Sequence, residues 1–569
     1  TGGQSSQGIA RSHIFGTLSN RTHLVQTVTY TVTPITGNCT GAAFTVIVTL
    51  NPTPEFVTLS TVTCSGIEFQ VSPVVGVGGG NIVPANTQYR WDAPSLTGTI
   101  TGGQSSQGLF ESHIFGTLSN RTHVLQTATY SVTPRTLSAN CTGSAFTVIV
   151  TLNPTPEFVT LSTVTCSGVQ FQVSPAVGVG GGNIVPSNTL YTWTEPSFTG
   201  NVQGGQSSQG TPRTHIFGTL SNRTNIQQTA TYGVTPISGN CTGSVFTVLV
   251  SINPTPEISA MSSTVCSGLP FLISPTNSVN GIVPASTAYT WDPPATSSSS
   301  LTGGVSGSSV GTVTGTLTNG TNVLQSATYI ITPRSANNCL GTSFTAVVYV
   351  DPKSTITPMS TTVCSGTLFR VTPTNITNGI VPDGTTYTWI DPAVSTPSLT
   401  GGQSATTSQT SIFGTLRNGT NTVRTAVYTV TPSTLSCGTS NVFTITVFVN
   451  PTPEVNAMTT VVCSGITFEV SPVNLLNGIV PASTSYSWEA PAVSTPSLTG
   501  GVSGSGSFVT GKLLNGTNTV QTATYQVRPV APTGTCIGQL FTVTVTVNPG
   551  AYIEPMTTAV CSGVQFSVT

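Results

Sequence analysis

One passage, rewritten with small changes, recurs along the whole chain, and its period limits what the chain can fold into. A Gly-Gly pair opens at Gly2, Gly102, Gly204, Gly303, Gly401 and Gly500, about 100 residues apart each time. That period is too long for a solenoid unit and suits one β-sandwich domain per repeat. The first two copies are nearly the same text: SHIFGTLSNRTH stands at Ser12 and SHIFGTLSNRTH again at Ser112. Duplication of a module, with chain length as the product, is the reading this supports. The chain opens and closes inside the repeat, so it reads as a window cut from a longer protein whose targeting signals lie outside it.

The joints are written in proline. NPTPE begins at Asn51, Asn153, Asn253 and Asn450, and Asp351 and Asn548 open variants of it. Proline fixes φ and has no N–H to donate, so it ends a strand and stiffens a short connector. No flexible Gly/Ser linker separates the repeats, and closely spaced domains with little hinge freedom are expected. The boundaries placed on this basis give a C-terminal part of one domain at 1–51 and complete domains at 52–153, 154–253, 254–351, 352–450 and 451–548. An N-terminal part of a further domain follows at 549–569.

Within a repeat the local pattern is that of strands. Phe541, Val543, Val545 and Val547 alternate with Thr542, Thr544 and Thr546, giving one apolar face and one hydroxyl face. In the repeat 52–153 the runs EFVTLST, IEFQVSP, QYRWDAP, SHIFGTL, VLQTATYSVTP and AFTVIVTLNP read as successive strands. No capped stripe of helical period interrupts them. Each complete repeat carries one Trp (Trp91, Trp193, Trp291, Trp389 and Trp488) with a Tyr two residues before it, and both are expected in the core.

Composition excludes several function classes. Only 5% of the residues are charged and the net charge is -1, so 14 Lys and Arg cannot form a nucleic-acid-binding surface over this length. No apolar run approaches the roughly 18 residues of a membrane helix. Asn81 and Asn183 break the Gly-rich GVGGG stretches where a dinucleotide fingerprint needs glycine, and these stretches read as flexible loops. The five His residues (His13, His23, His113, His123 and His215) read as solvent-facing strand and turn positions. Fifteen Asp and Glu spread over the chain do not supply calcium sites, and Lys353 and Lys512 are the only lysines, too few for an isopeptide crosslink in each domain. No enzyme, no metal and no cofactor is expected.

The combined text CSG…F.V.P…NGIVP…YTW…LTGG…GTL.N.T…TATY.VTP…C.G..FTVTVTVNPTP resembles the PKD-like, immunoglobulin-like repeats of giant cell-surface adhesins of the Bacteroidetes, the SprB-like, type IX-secreted proteins of gliding cells. The resemblance covers the whole chain. It implies an all-β fold: a tandem array of immunoglobulin-like β-sandwich domains forming an elongated rod, at the cell surface or outside the cell, with a structural or adhesive role. The expected partners are neighbouring domains of the same chain, identical chains in a fibre, and surface polysaccharide, with no nucleic acid and no membrane insertion. The alternatives are an array of carbohydrate- or surface-binding modules, or a stalk presenting a functional domain that lies outside these residues.

Two motifs carry candidate sites. Asn20, Asn120, Asn222, Asn319, Asn418 and Asn515 each head an N-x-T sequon in GTLxNxT, which offers either a glycan on every repeat or an Asn/Thr turn. The second motif is Cys-Ser-Gly, at Cys64, Cys166, Cys266, Cys364, Cys463 and Cys561; a second series stands at Cys39, Cys141, Cys241, Cys339, Cys437 and Cys536, before the last strand of each repeat. Regular cysteines without metal-ligand spacing fit an oxidising, extracellular setting. Cys39–Cys64 is rejected, because in a linear array the intervening strand sets the two at least a domain length apart, against the roughly 7 Å a disulfide allows. Cys64–Cys141, within a domain, and Cys64–Cys241, between domains, both stay open. The commoner occurrence of bridges within a domain favours the first. The seven-strand sandwich that the resemblance implies favours the second, since it puts Cys64 at the C-terminal end of its domain. Cys39 and Cys561 are expected to find partners outside these residues.

Overall fold

The structure is a computed structural model and describes residues 1–551 and 553–568. By compactness the chain divides into two units. One holds Thr1–Ser259, Pro275–Ala288 and Thr332–Ser343; the other holds Ala260–Ser274, Tyr289–Ile331 and Phe344–Thr569. The fold is all-β, with one short 3-10 turn at Thr533–Thr535 among the described residues.

Residues 52–153, in the first unit, show the plan. Seven principal strands occur: β1 (Leu59–Cys64), β2 (Glu68–Val71), β3 (Thr87–Trp91), β4 (Ile100–Gly102), β5 (Ile114–Asn120), β6 (Gln126–Thr136) and β7 (Phe146–Asn153). One sheet runs β1-β7-β6, with β3 on the far side of β6; the other runs β4-β5-β2. The strand β1 pairs with β7 in parallel, from Leu59 opposite Val148 to Cys64 opposite Asn153, while the other pairs are antiparallel. β1 and β2, adjacent in sequence, thus lie in different sheets. This is the open, two-sheet plan of an immunoglobulin-like sandwich.

The core follows from the alternation. In β7, Phe146, Val148, Val150 and Leu152 are buried while Thr147, Ile149 and Thr151 face outward. The same holds for Phe541, Val543, Val545 and Val547 in the sixth copy, as the sequence pattern predicts. Trp91 and Tyr89 are buried between the sheets, and Trp91 donates its indole N–H to the Gln104 carbonyl at 3.1 Å. Phe56 stacks on Phe146 at 4.4 Å between centroids, closing the core where the chain enters the domain.

Two expectations need correction. The first strand starts at Leu59, not Glu55, because Phe56 turns inward to the core while Glu55 pairs its backbone with Ile82. GVGGG is not a loose loop: Gly76–Gly78 forms a small hairpin with Asn81–Val83, and Gly79 and Gly80 make the turn at φ 57° and 87°.

Candidate functional site: the stapled joint

The features that recur at every joint converge on the cysteines. Parallel pairing of β1 with β7 carries Cys64 to the end of its domain where the last strand finishes. The Cys-Ser-Gly turn is fixed there by its own backbone: Ser65 N–H donates to Asn153 O at 2.9 Å, and Gly66 N–H donates to Leu118 O at 2.8 Å, with Gly66 at φ 80°. The next domain reaches back, as Thr155 of the joint donates its hydroxyl to Ser65 O at 3.0 Å. Thr255 does the same to Ser167 and Thr452 to Ser365.

The second cysteine arrives from the other side of the joint. Cys241–Thr242 pairs with Ile237–Ser238 in a short hairpin before the last strand of its domain. The hairpin lies against the joint because Gly243 has no side chain: a Cβ there would collide with the Pro156 carbonyl. Gly143, Gly341 and Gly538 stand in the same relation to Pro54, Pro256 and Pro453. Close approach of two backbones is a standard reason for glycine.

The result is a set of disulfides between domains. Cys64 pairs with Cys241, Cys166 with Cys339, Cys266 with Cys437 and Cys364 with Cys536, each with Cα atoms 5.6 Å apart. The pairing within a domain that its commoner occurrence favours is not formed. The physical reason is the length and direction of β1, which takes Cys64 to the opposite end of the sandwich from Cys141. Cys39, Cys141, Cys463 and Cys561 are free thiols, and the pairing rule gives them no counterpart within residues 1–569. Of the cysteines expected to pair, Cys141 and Cys463 are thus the two that do not.

The sequon asparagines lie at the same end of each domain and are structural. Asn120 is 2% exposed. Its Nδ2 donates to Val124 O at 2.9 Å and to Leu152 O at 3.1 Å; its Oδ1 accepts from Thr122 N at 2.9 Å and from Thr122 Oγ1 at 2.7 Å. Its backbone N–H donates to Ser65 Oγ at 2.9 Å. One side chain thus ties the turn after β5 to the end of β7, beside the Cys-Ser-Gly turn. Asn222, Asn319, Asn418 and Asn515 are buried and repeat the pattern, and Asn20, half-buried, makes the same bonds. With both Nδ2 hydrogens committed and no open space, the folded domain has no place for a glycan at Asn120, Asn222, Asn319, Asn418 or Asn515. The geometry supports the turn reading.

Among the described residues, no three His, Cys, Asp or Glu side chains gather as metal ligands would. Arg417 and Glu454 form the one ion pair among them, at 3.0 Å, and it is exposed. Its contribution is correspondingly small. No helix among the described residues is long and apolar enough to cross a membrane.

The sandwich plan, repeated from joint to joint, defines a tandem array of immunoglobulin-like domains. The chain belongs to the PKD-like domain family, which matches residues 2–54, 61–156, 162–256, 263–354, 361–453 and 460–551. No curated protein matches it. Similar solved structures include immunoglobulin domains 1–5 of Sidekick-1, with 11% identity over 86% of this chain and 97% of that one and a TM-score of 0.18. The human desmocollin-1 ectodomain has 11% identity over 88% and 100%, with a TM-score of 0.21. The insect immune protein hemolin has 13% identity over 69% and 99%, with a TM-score of 0.17. At these scores the fold assignment rests on strand order and the family match.

Proposed function

We propose that this chain is the structural and adhesive repeat region of a giant secreted cell-surface protein or extracellular filament, of the SprB-like kind its sequence resembles. Its work is reach and durability. The observation that carries the reading is the disulfide between neighbouring domains, repeated at four successive joints. Disulfides persist in oxidising compartments, and a device that fastens domains to each other is useful to a protein that must not stretch or come apart. The near absence of charge and the Thr-rich outer faces of the sheets suit lateral packing of identical chains or contact with surface polysaccharide.

The test is immunogold electron microscopy of the source cells with an antibody to residues 52–153. Gold on filaments at the cell surface is expected, and gold confined to the cell interior would refute the reading.

A further inference from the structure

The disulfides and the strand pairing together say how the molecule meets tension. We propose that the chain forms two covalent rails that carry load side by side, leaving most of each sandwich outside the load path. One rail runs to Cys64, crosses to Cys241, follows the backbone to Cys266, crosses to Cys437 and continues to Cys463. The other runs from Cys141 to Cys166, crosses to Cys339, follows the backbone to Cys364 and crosses to Cys536. Each backbone stretch holds the last strand of one domain, a proline joint and the first strand of the next, as Phe246–Asn253 and Met261–Cys266 do. The remaining strands lie in segments such as 166–241 that connect one rail to the other, like rungs.

In all five complete domains the first and last strands belong to different rails, and in all five they are hydrogen-bonded to each other in parallel. Sliding one rail past the other must strain a six-residue ladder along its length, rather than open it one bond at a time. The rails also have little slack. A stretch of about 25 residues reaches at most about 9 nm and serves two domains, whereas an unstapled domain of about 100 residues would release roughly 35 nm on unfolding. Any single backbone cut between Cys64 and Cys536 also falls inside at least one disulfide loop, so the two pieces remain joined. The inference rests on the pairing alone and is independent of whether the protein proves to be an adhesin.

Two measurements test it. The first uses natural methionines: Met261, Met359 and Met458 each follow a joint. After alkylation of free thiols, cyanogen bromide should yield fragments that stay together near full size without reductant. Reductant should then separate pieces of about 26 and about 10 kDa, taking the usual mean residue mass for a chain of 58.3 kDa. The reduced lane reports how far cleavage ran. Release of the ~10 kDa pieces without reductant would overturn the rails. The second is force extension between the Cys141 thiol and the C-terminus, in a chain with Cys39→Ser, Cys463→Ser and Cys561→Ser. The oxidised chain should extend to about 29 nm and the reduced chain to about 150 nm, from about 83 and about 428 residues of backbone. An oxidised chain that lengthens in ~35 nm steps toward 150 nm would also overturn it.

Discussion

Asn319→Ala tests whether one buried amide holds an end of its domain together. Asn319 is 2% exposed and makes four side-chain bonds: Nδ2 to Val323 O at 2.8 Å and to Val350 O at 2.9 Å, and Oδ1 from Thr321 N at 2.9 Å and Thr321 Oγ1 at 2.7 Å. Alanine removes all four. The exposed part of the turn recovers water; the Val350 carbonyl and the Thr321 amide are the groups left short. One orphaned buried acceptor costs about 1–3 kcal/mol and each other net bond about 1, so roughly 3 kcal/mol is expected. Unfolding of a multi-domain chain is not two-state, so the readout should be local: hydrogen exchange by mass spectrometry. At 1.4 kcal/mol per factor of ten, exchange of the core amides of Tyr329, Ile331 and Val348 should accelerate about 100-fold. Val148 and Val150, in another domain, serve as the internal control. A change below about threefold at the first set would refute the reasoning.

Asn319→Asp refines the argument by exchanging a donor for an acceptor. At neutral pH its carboxylate would face the Val323 and Val350 carbonyls, acceptor against acceptor, in a buried site. Burial and those carbonyls raise the folded-state pKa of such an acid above its unfolded value. Stability is then fully present below the unfolded pKa and is lost as pH rises through the folded one. The Asp variant should exchange faster than the Ala variant at pH 7 and approach wild type at acid pH, where the protonated acid can donate.

Three further outcomes follow from the same geometry. The native protein should show the mass of the bare chain at Asn120, Asn222, Asn319, Asn418 and Asn515, because both hydrogens of each Nδ2 are in use; intact-mass measurement checks this, and a hexose-bearing peptide at any of them would contradict it. Burial holds the phenols of Tyr130, Tyr232 and Tyr329 up at about 12, so stability should be flat below pH 10 and fall as pH rises from there toward 12, read as phenolate absorbance appearing together with unfolding. Gly103→Ala should destabilise its domain by about 2–3 kcal/mol in a hydrogen-exchange comparison, because Gly103 has φ 73° and a Cβ would lie 2.7 Å from both Tyr130 Oη and Leu118 Cδ2.

How much of this was legible in the sequence depended on the range over which each feature acts. Alternation of Val with Thr fixes a strand and its buried face within a few residues, so the core of β7 and the place of Trp91 could be read directly. The Gly-Gly pair was legible as a repeat marker but not as a device. Its role appears only when β4 is laid beside β5: Gly102, at φ 89°, passes close to Thr117 O, and Gly103 makes room for the Tyr130 hydroxyl. The sequon was legible as a motif with two readings, and a contact some thirty residues away, with Leu152 O, decides between them.

The cysteines were the hardest, and for an instructive reason. Their pairing turns on whether residues before Cys64 form a strand that runs parallel to one about 90 residues later, and on where that strand stops. Chain entropy does not decide such a question, because loop-closure cost grows only as the logarithm of length. Nor does local propensity, because LSTVTC pairs as a strand whichever cysteine it delivers. What decides it is direction. An antiparallel first strand running back along β7 would have delivered Cys64 to the end where β7 begins, beside Cys141, and made each domain a closed bead. Parallel pairing delivers it to the end where β7 finishes, against Cys241. The direction of one six-residue strand therefore separates a string of independent domains from a chain whose neighbours are covalently fastened at each joint.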